Sequence, residues 1–445
     1  MNGVNRRESG DALASQPTFF EKACIITVLF YSTGAFSTLL KGTSDLPEGA
    51  PRGSLVTNTI WIVIYIVALC LLYYRVNGVR LALRKNLPFI LILAVSMGSV
   101  FWSDAPQLTI LRSGALIGST IVGMYFGLRF TLIQQLRLLA WMFGIAASLS
   151  IVFCLFLPAY GIGVGDFEGF WQGIYPHKNT LGNNMAMAFT VFMVLGASRP
   201  AYRWIKFLFA GVALVLVILA DSVTSIFLCV TIVCAFLLFR FFSQKIHRRR
   251  RYFLGFSVVV AGAVAYCVSH FSEILSLVGR GENMSGRFLI WSLVWTAIST
   301  HPVLGYGYGA FWRGLDGPSA DLWDALGSQF LFHAHNGFLD IWVDIGLLGL
   351  AVFLVGYIYY LRRSWLLYFK TVEPELIWPV LFMTFLLLAD LTEVAFLRAN
   401  TTSWILYTSN VFSLVVWTQE RTAPWKTGRA AQITPATAFS FGPQT

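Results

Sequence analysis

The stretch HAHNGFLDIWVDIGLLGLAVFLVGYIYYL, residues 333–361, decides the class of this chain. Two imidazoles and an amide stand at its start. From Gly337 to Leu361 it is an apolar run long enough to cross a bilayer, for which roughly 20 mostly apolar residues suffice. Asp340 and Asp344 fall on the first turns of that run, ahead of Gly346, Leu347, Leu348 and Gly349. Titratable groups at the mouth of a span are costly and usually functional. The rest of the chain has the same character. Hydrophobic residues make up 57% of the 445 and charged residues 12%, far below the roughly 25% charged of a soluble domain.

Apolar runs place spans near 23–40, 55–74, 87–102, 108–128, 137–158, 180–197, 203–220, 223–242, 253–270, 337–361, 376–396 and 401–418. The expectation is an all-α polytopic membrane protein of about 12 transmembrane helices. A polar cytoplasmic tail, 1–22, precedes spans one to nine (23–270). An outer loop, 271–335, precedes spans ten to twelve (336–418), and a polar tail with three prolines, 419–445, reads as disordered. The first apolar run has no small-residue cleavage site close behind it and reads as an uncleaved span.

Charge orients the bundle. With the N-terminus inside, 24 of the 32 Lys and Arg fall on inner stretches, from Arg6 and Arg7 through Arg248 to Arg251 to Arg429, while 15 of the 21 acids lie elsewhere. Every short loop then obeys the positive-inside rule. The net charge of +11 is scattered over seven inner stretches with no single basic face, so it marks topology and not a nucleic-acid partner. The run His247 to Arg251 reads as an anchor on anionic inner-leaflet headgroups. Cys24, Cys70, Cys154, Cys229, Cys234 and Cys267 all fall in expected spans without metal-ligand spacing, so they read as packing residues with no disulfide framework.

Two outer loops are long, about 159–178 and 271–335. In the second, Ser285 can cap a helix starting near Gly286, where Phe288, Trp291, Trp295 and Ile298 recur at helical spacing. The run stops at His301-Pro302, too short for a span, and reads as an amphipathic helix lying on the membrane surface. Gly305-Tyr306-Gly307-Tyr308-Gly309-Ala310-Phe311-Trp312 follows, then Asp316, Asp321 and Asp324. The Gly-Tyr-Gly tripeptide invites a potassium-filter reading, but it sits mid-loop in a chain with far too many spans. No phosphate-loop motif, His-Glu-x-x-His or loop-borne Asp-x-Asp is present, which leaves nucleotide hydrolysis and a metal-held nucleotide-sugar donor unsupported.

Five elements, in order, resemble the O-antigen ligase and polymerase superfamily, especially its exopolysaccharide polymerase branch (ExoQ-like). They are Trp102-Ser103-Asp104-Ala105-Pro106, Pro176-His177-Lys178-Asn179-Thr180-Leu181-Gly182, Ser285-Gly286-Arg287 with Trp291, His301-Pro302-Val303-Leu304-Gly305-Tyr306-Gly307, and His335-Asn336 followed by Gly346 and Gly349. The resemblance covers roughly residues 85–415. One departure is Asp344, separated from Gly346 by Ile345, where the family commonly has Glu before the glycine pair.

The resemblance implies a GT-C-like, multi-pass protein of the bacterial inner membrane with its active site facing the periplasm. It implies inverting, metal-independent glycosyl transfer with no cofactor. The donor is then an oligosaccharide on a polyprenyl pyrophosphate, and an acceptor saccharide hydroxyl attacks it, with flippase and chain-length or export proteins as partners. The residues suit that chemistry. A pyrophosphate leaving group needs preorganised cations, and the outer side holds only Lys41, Arg52, Arg112, Lys178, Arg280, Arg287, Arg313 and Arg398. Arg287, Lys178 and Arg112 are the candidates for the pyrophosphate. His335 is the candidate general base, an imidazole being suited to accept a hydroxyl proton near neutral pH.

Asn336, Asp340 and Asp344 recur every four residues and share a helix face, where they orient the imidazole or bind sugar. Asn336 and Asp344 are assigned with His335 to catalysis; Asp340, Arg280 and Arg313 are assigned to the acceptor sugar. Plainer roles stand beside these: an interfacial hydrogen-bonded histidine for His335 and a snorkelling anchor for Lys178. His333 falls outside the motif's spacing. Asp390 and Glu393, at i and i+3, read either as an ion pair with Arg398 or as acceptor ligands. Three functions remain open at this point: a polymerase of lipid-linked repeat units, a ligase moving polymer onto lipid A core or protein, and a transporter or flippase. The last is disfavoured because no inverted repeat is visible and the chemistry-bearing residues sit at one surface.

Overall fold

In an apolar solvent every backbone N–H and C=O must find a partner within its own segment, and the apolar runs accordingly fold as helices. The computed structural model describes residues 16–37, 55–164, 168–243, 282–326, 331–371 and 373–422. Helices α1 (Phe19–Ser32), α2 (Leu55–Tyr73), α3 (Val76–Arg84), α4 (Leu87–Gly98), α5 (Pro106–Arg129), α6 (Leu132–Phe156) and the single turn α7 (Pro158–Gly161) form the first half. They are followed by α8 (Lys178–Ser198), α9 (Arg203–Leu219), α10 (Val223–Ser243), α11 (Glu282–Thr300), the short α12 (Ala320–Ala325), α13 (Gly337–Thr371), α14 (Ile377–Ala389) and α15 (Thr402–Thr422). No strand occurs among the described residues; one isolated bridge, Ile162 to Trp171, closes the loop before α8.

Among the described residues six helices are long and apolar enough to cross a membrane: Leu55–Tyr73, Pro106–Arg129, Leu132–Phe156, Lys178–Ser198, Val223–Phe241 and Gly337–Thr371. Gly78–Arg84 and Leu87–Phe101 would make a seventh, bent by 84°. This is fewer than twelve for two reasons. The expected span 253–270 lies outside the described residues. Several other apolar runs form shorter helices, α1, α9 and α14 having only 14, 17 and 13 residues. Cys154 and Cys229 pack in the interior as expected, whereas Cys24, Cys70 and Cys234 are exposed on their helices, and Cys267 lies outside the described residues.

Close backbone approach holds the bundle. Gly123 and Gly127 of α5 face α15, and a Cβ on either would collide with the carbonyl of Ile405 or Ser409. This small-xxx-small spacing lets two helices pack without intervening side chains, which is how helices gain contact where no hydrophobic force drives them together. Polar ties then pin helix ends. At one end Arg129 grips Glu21 at 2.8 Å and Arg363 reaches Thr418 at 3.0 Å. At the other, Ser32 bonds Thr402 at 2.8 Å and Trp102 donates to the Leu304 carbonyl at 2.8 Å. Each tie respects the up-and-down alternation of the helix order.

Two expectations change here. Helix α11 starts at Glu282, a turn before Gly286, and buries Ile290, Val294 and Ile298, leaving Phe288 and Trp295 exposed. It is therefore apolar on both sides, because one face packs on the bundle and the other does not.

The second change concerns α13, expected as one continuous helix. It breaks at Ile345 (φ −124°, ψ 18°) and Gly346 (φ 68°, ψ −177°). The break leaves N–H groups without helical partners, and residues 302–307 fill the gap. Leu347 donates to the Pro302 carbonyl at 2.9 Å and Leu348 to that of Val303 at 3.1 Å. In return Tyr306 donates to the Val343 carbonyl at 3.0 Å and Gly307 to that of Asp344 at 2.8 Å. The backbone of Gly346 occupies a region essentially reserved for glycine, and a Cβ there would also strike the Val303 carbonyl.

Gly346→Ala should therefore cost the folded protein about 1–3 kcal/mol from backbone strain alone. The thermal unfolding midpoint of detergent-purified protein should drop, whereas Gly211→Ala, which meets nothing within 4 Å, should not lower it. An unchanged midpoint for Gly346→Ala would mean that the break is not built into the fold.

Candidate functional site

Loop 302–312, the segment before α13 and the turn after α14 meet at the broken helix. Asn336 sets the geometry of the segment by capping α13. Its Oδ1 accepts from the N–H groups of Phe338 and Leu339 at 3.0 and 3.2 Å, and Gly337 donates to the Asp390 carbonyl at 2.8 Å. Asn336 is thus spent on the backbone and does not touch the imidazole. Just ahead of it His335 adopts a positive φ of 49°, unusual for a non-glycine residue and typical of strained functional positions.

That turn aims His335 at Glu393. Nδ1 of the imidazole lies 3.8 Å from Glu393 Oε2, and Arg287 of α11 lies 3.6 Å from the other oxygen, Oε1. The side chains of His335, Glu393 and Arg287 are 27%, 17% and 18% exposed, so this trio is sheltered yet reachable. His335 Nδ1 is buried without a hydrogen-bond partner, its distance to Glu393 being longer than a hydrogen bond. A carboxylate on one ring nitrogen fixes which nitrogen faces outward and supports the positive charge a base acquires. His333 stacks edge-on against His335 with centroids 4.2 Å apart, and its Nδ1 accepts from the His335 N–H at 3.3 Å.

Asp340 and Asp344 face the other side. Asp340 accepts from Trp312 Nε1 at 3.1 Å, from the Ala334 N–H at 2.8 Å and from Arg398. It ties the histidine segment to the Gly-Tyr-Gly loop and to the turn after α14. Asp344 receives the Gly309 N–H and leaves Oδ1 buried without a partner. Arg112 of α5 donates to the Gly309 carbonyl. Arg112, Asp340, Asp344 and Arg398 together line a cavity of about 320 Å³ with Tyr308 and Asn400.

The expected pairing of Asp390 and Glu393 with Arg398 does not form. Helix α14 ends at Ala389, so the two acids share no helix face. Asp390 accepts instead from the Ala395 and Phe396 N–H groups at 2.8 and 3.1 Å, folding the turn. Phe396 locks that turn by packing on Phe353 and Tyr357 with centroids 4.7 and 5.1 Å apart. Glu393 is delivered to His335, and Arg398 to Asp340.

Lys178 lies 3.6 Å from Asp221 and over the ring of Phe170, and next along the chain Thr224 bonds Thr392 at 3.3 Å. Its charge is already partly answered at the same end of the bundle. Arg313 sits in its own turn, bonded through its backbone N–H to Ser319 at 3.2 Å, with Nε buried and unpartnered. Arg280 lies outside the described residues. The structure thus joins His335 with Arg287, and Asp340 and Asp344 with Arg112. Glu393 as the imidazole's partner and Arg398 as that of Asp340 escaped sequence reasoning. Among the described residues, no group of three His, Cys, Asp or Glu is placed to hold a metal ion.

Desolvation, then His335, Arg398 and Arg287, hold His333 well below the ordinary imidazole range. An unfolded histidine binds a proton near pH 6.5. Between that pH and the lower folded value the unfolded chain binds more protons, so stability falls as pH drops below about 6.5. His333→Gln should flatten the dependence of the unfolding midpoint between about pH 5 and 6.5. An equally steep dependence in the variant would contradict the assignment.

Comparison with known proteins bears on this site. Residues 208–354 match a family model described as O-antigen ligase, a stretch that includes Arg287, His335, Asp340 and Asp344. Over 268 residues the chain is 27% identical to the exopolysaccharide production protein ExoQ of Rhizobium meliloti (strain 1021). That alignment covers 57% of this chain and 59% of the relative, so the match spans about three-fifths of the relative's length. By its motifs and by both comparisons, the chain resembles the O-antigen ligase and polymerase superfamily and, within it, the ExoQ-like branch.

Proposed function

We propose that this protein polymerises oligosaccharide repeat units, carried on a polyprenyl pyrophosphate, into exopolysaccharide at the periplasmic face of the bacterial inner membrane. The reading rests above all on one arrangement. At one end of an apolar bundle Arg287 and Glu393 form an ion pair that the imidazole of His335 faces, and Arg112, Arg398, Asp340 and Asp344 line a cavity. A base and several cations, converging where lipid meets water, match a lipid-borne donor with an anionic leaving group.

The acceptor hydroxyl gives its proton to the ring nitrogen of His335 that faces away from Glu393, as its oxygen bonds the donor's anomeric carbon. The bond from that carbon to the pyrophosphate oxygen breaks, and the leaving group departs with the electron pair. Arg287 meets the developing negative charge, with Arg112 and Lys178 adding to the field. Glu393 steadies the imidazolium. Asp340 positions Arg398 and the histidine segment, and Asp344 binds sugar hydroxyls or orients the acceptor. Backside attack inverts the anomeric centre, and no step requires a metal. The ExoQ likeness supports polymerisation. The O-antigen ligase description of the matching family model supports a second reading, transfer of finished polymer to lipid A core or protein by the same donor chemistry.

The decisive assay is transfer from a polyprenyl-pyrophosphate oligosaccharide by purified protein in EDTA. His335→Ala should lower the rate about 10²–10⁴-fold, as loss of a general base does. Arg287→Ala should lower it about 10²–10³-fold, as loss of one electrostatic donor does. His333→Ala should be milder. Near-normal rates in both of the first two variants at equal expression, or a strict need for Mg²⁺ or Mn²⁺, would remove this mechanism.

A further inference from the structure

A second cavity, of about 360 Å³, lies beside the charged one, and Asn400 lines both. Its volume is that of a small-molecule pocket, roughly 300–1,000 Å³. Its chemistry differs completely from its neighbour's. Among the described residues no Asp, Glu, Lys, Arg or His lines it; the walls are hydroxyls, the amides of Asn184 and Asn400, and the aromatic rings of Tyr31 and Trp61. Tyr31 and Trp61 pack with centroids 5.3 Å apart, and Trp61 stacks on Tyr65 at 5.9 Å. Ser37 also lines the cavity, and its hydroxyl is buried with no hydrogen-bond partner, a cost that a hydroxylated ligand would relieve.

Hydrogen bonds tie down the wall between the two cavities. Asn400 stands at a φ of 66°, its N–H donates to Ser119 at 2.8 Å, and its side-chain oxygen accepts from Ser119 and from Tyr65. The neutral cavity is formed where the ends of α1 and α15 meet, joined by the Ser32–Thr402 bond. Arg398 of the charged cavity lies four residues before Thr402 along the chain.

We propose that this cavity binds an uncharged segment of the acceptor glycan, two or three residues long, and feeds its terminal hydroxyl past Asn400 to the charged cavity. Sugars carry ring hydroxyls, which pair with hydroxyl and amide walls, and C–H faces, which lie on aromatic rings. An anionic sugar would find no counter-charge among the described lining residues and would be desolvated there at a loss. The cavity thereby sets the substrate class: neutral sugars at the acceptor end, with any acidic sugar excluded from these positions. The inference rests on the glycan-transfer reading above, and its test separates the two.

Binding is measured by calorimetry on the full chain in lipid nanodiscs, with no lipid-linked donor. The probes are neutral tetrasaccharides (glucan, galactan and mannan fragments) and a polyuronate tetrasaccharide. At least one neutral probe should bind, with the polyuronate at least tenfold weaker. Trp61→Ala should weaken binding tenfold or more, and Trp61→Phe, which keeps a ring, should restore part of it. Inorganic pyrophosphate should not compete, because the cations proposed to receive it, Arg287, Arg112 and Lys178, lie outside this cavity. Absence of binding by every neutral probe, binding unaffected by Trp61→Ala, or displacement by pyrophosphate would each overturn the proposal. Transfer activity without neutral-sugar binding would remove this site alone. Binding by a protein that transfers no sugar would leave the site standing and remove the reading of the reaction.

Discussion

The break in α13 governs how everything around the site is built. A membrane helix that opens at Ile345 and Gly346 exposes backbone groups that apolar surroundings cannot satisfy. Pro302, Val303, Tyr306 and Gly307 satisfy them reciprocally, which fixes the loop against the helix. Because the loop is fixed there, Gly309 reaches Asp344 and Arg112, and Trp312 reaches Asp340. Non-helical backbone at such a depth is tolerated where it is buried in protein or lines a cavity. Here it does both.

Scarce charge is arranged with the same economy. Asp390 folds a turn, Glu393 faces Arg287 and His335, and Asp340 ties Arg398 to the histidine segment. Asp344, Asp390 and Glu393 each keep one buried oxygen outside any hydrogen bond. Of these three, Asp344 is the one that lines the charged cavity. Buried ion pairs are weak sources of stability, but removing one partner strands the other and costs about 3–5 kcal/mol. The network thus gives positional precision more than strength. The aromatic packing of Phe396 on Phe353 and Tyr357 carries the turn that delivers Glu393 and Arg398.

Helix content, the apolar class and the superfamily resemblance were legible because they rest on long runs and ordered motifs. The shared face of Asp340 and Asp344 was legible in their four-residue spacing, and His335 and Arg287 stood out as scarce polar residues beside apolar runs. Glu393 was visible as an acid but not as the partner of His335, because the end of α14 at Ala389 depends on Asp390 turning back onto residues 395 and 396. The kink was hidden behind an apolar pattern that a straight helix would satisfy equally well. Asn336 caps α13 through its side-chain oxygen, a role that any asparagine before a helix can take. Asn400 and the neutral cavity left no local signal, since their lining residues come from separate helices.

The proposed reaction is a single displacement, with His335 activating the acceptor and cations receiving the leaving pyrophosphate. Its stereochemical signature is the anomeric configuration of the newly formed linkage, read by NMR against that of the donor's bond to phosphate. Inversion at every new linkage is the predicted result. Retention would demand a covalent or doubly displaced intermediate and would contradict the single displacement, whichever residues proved essential.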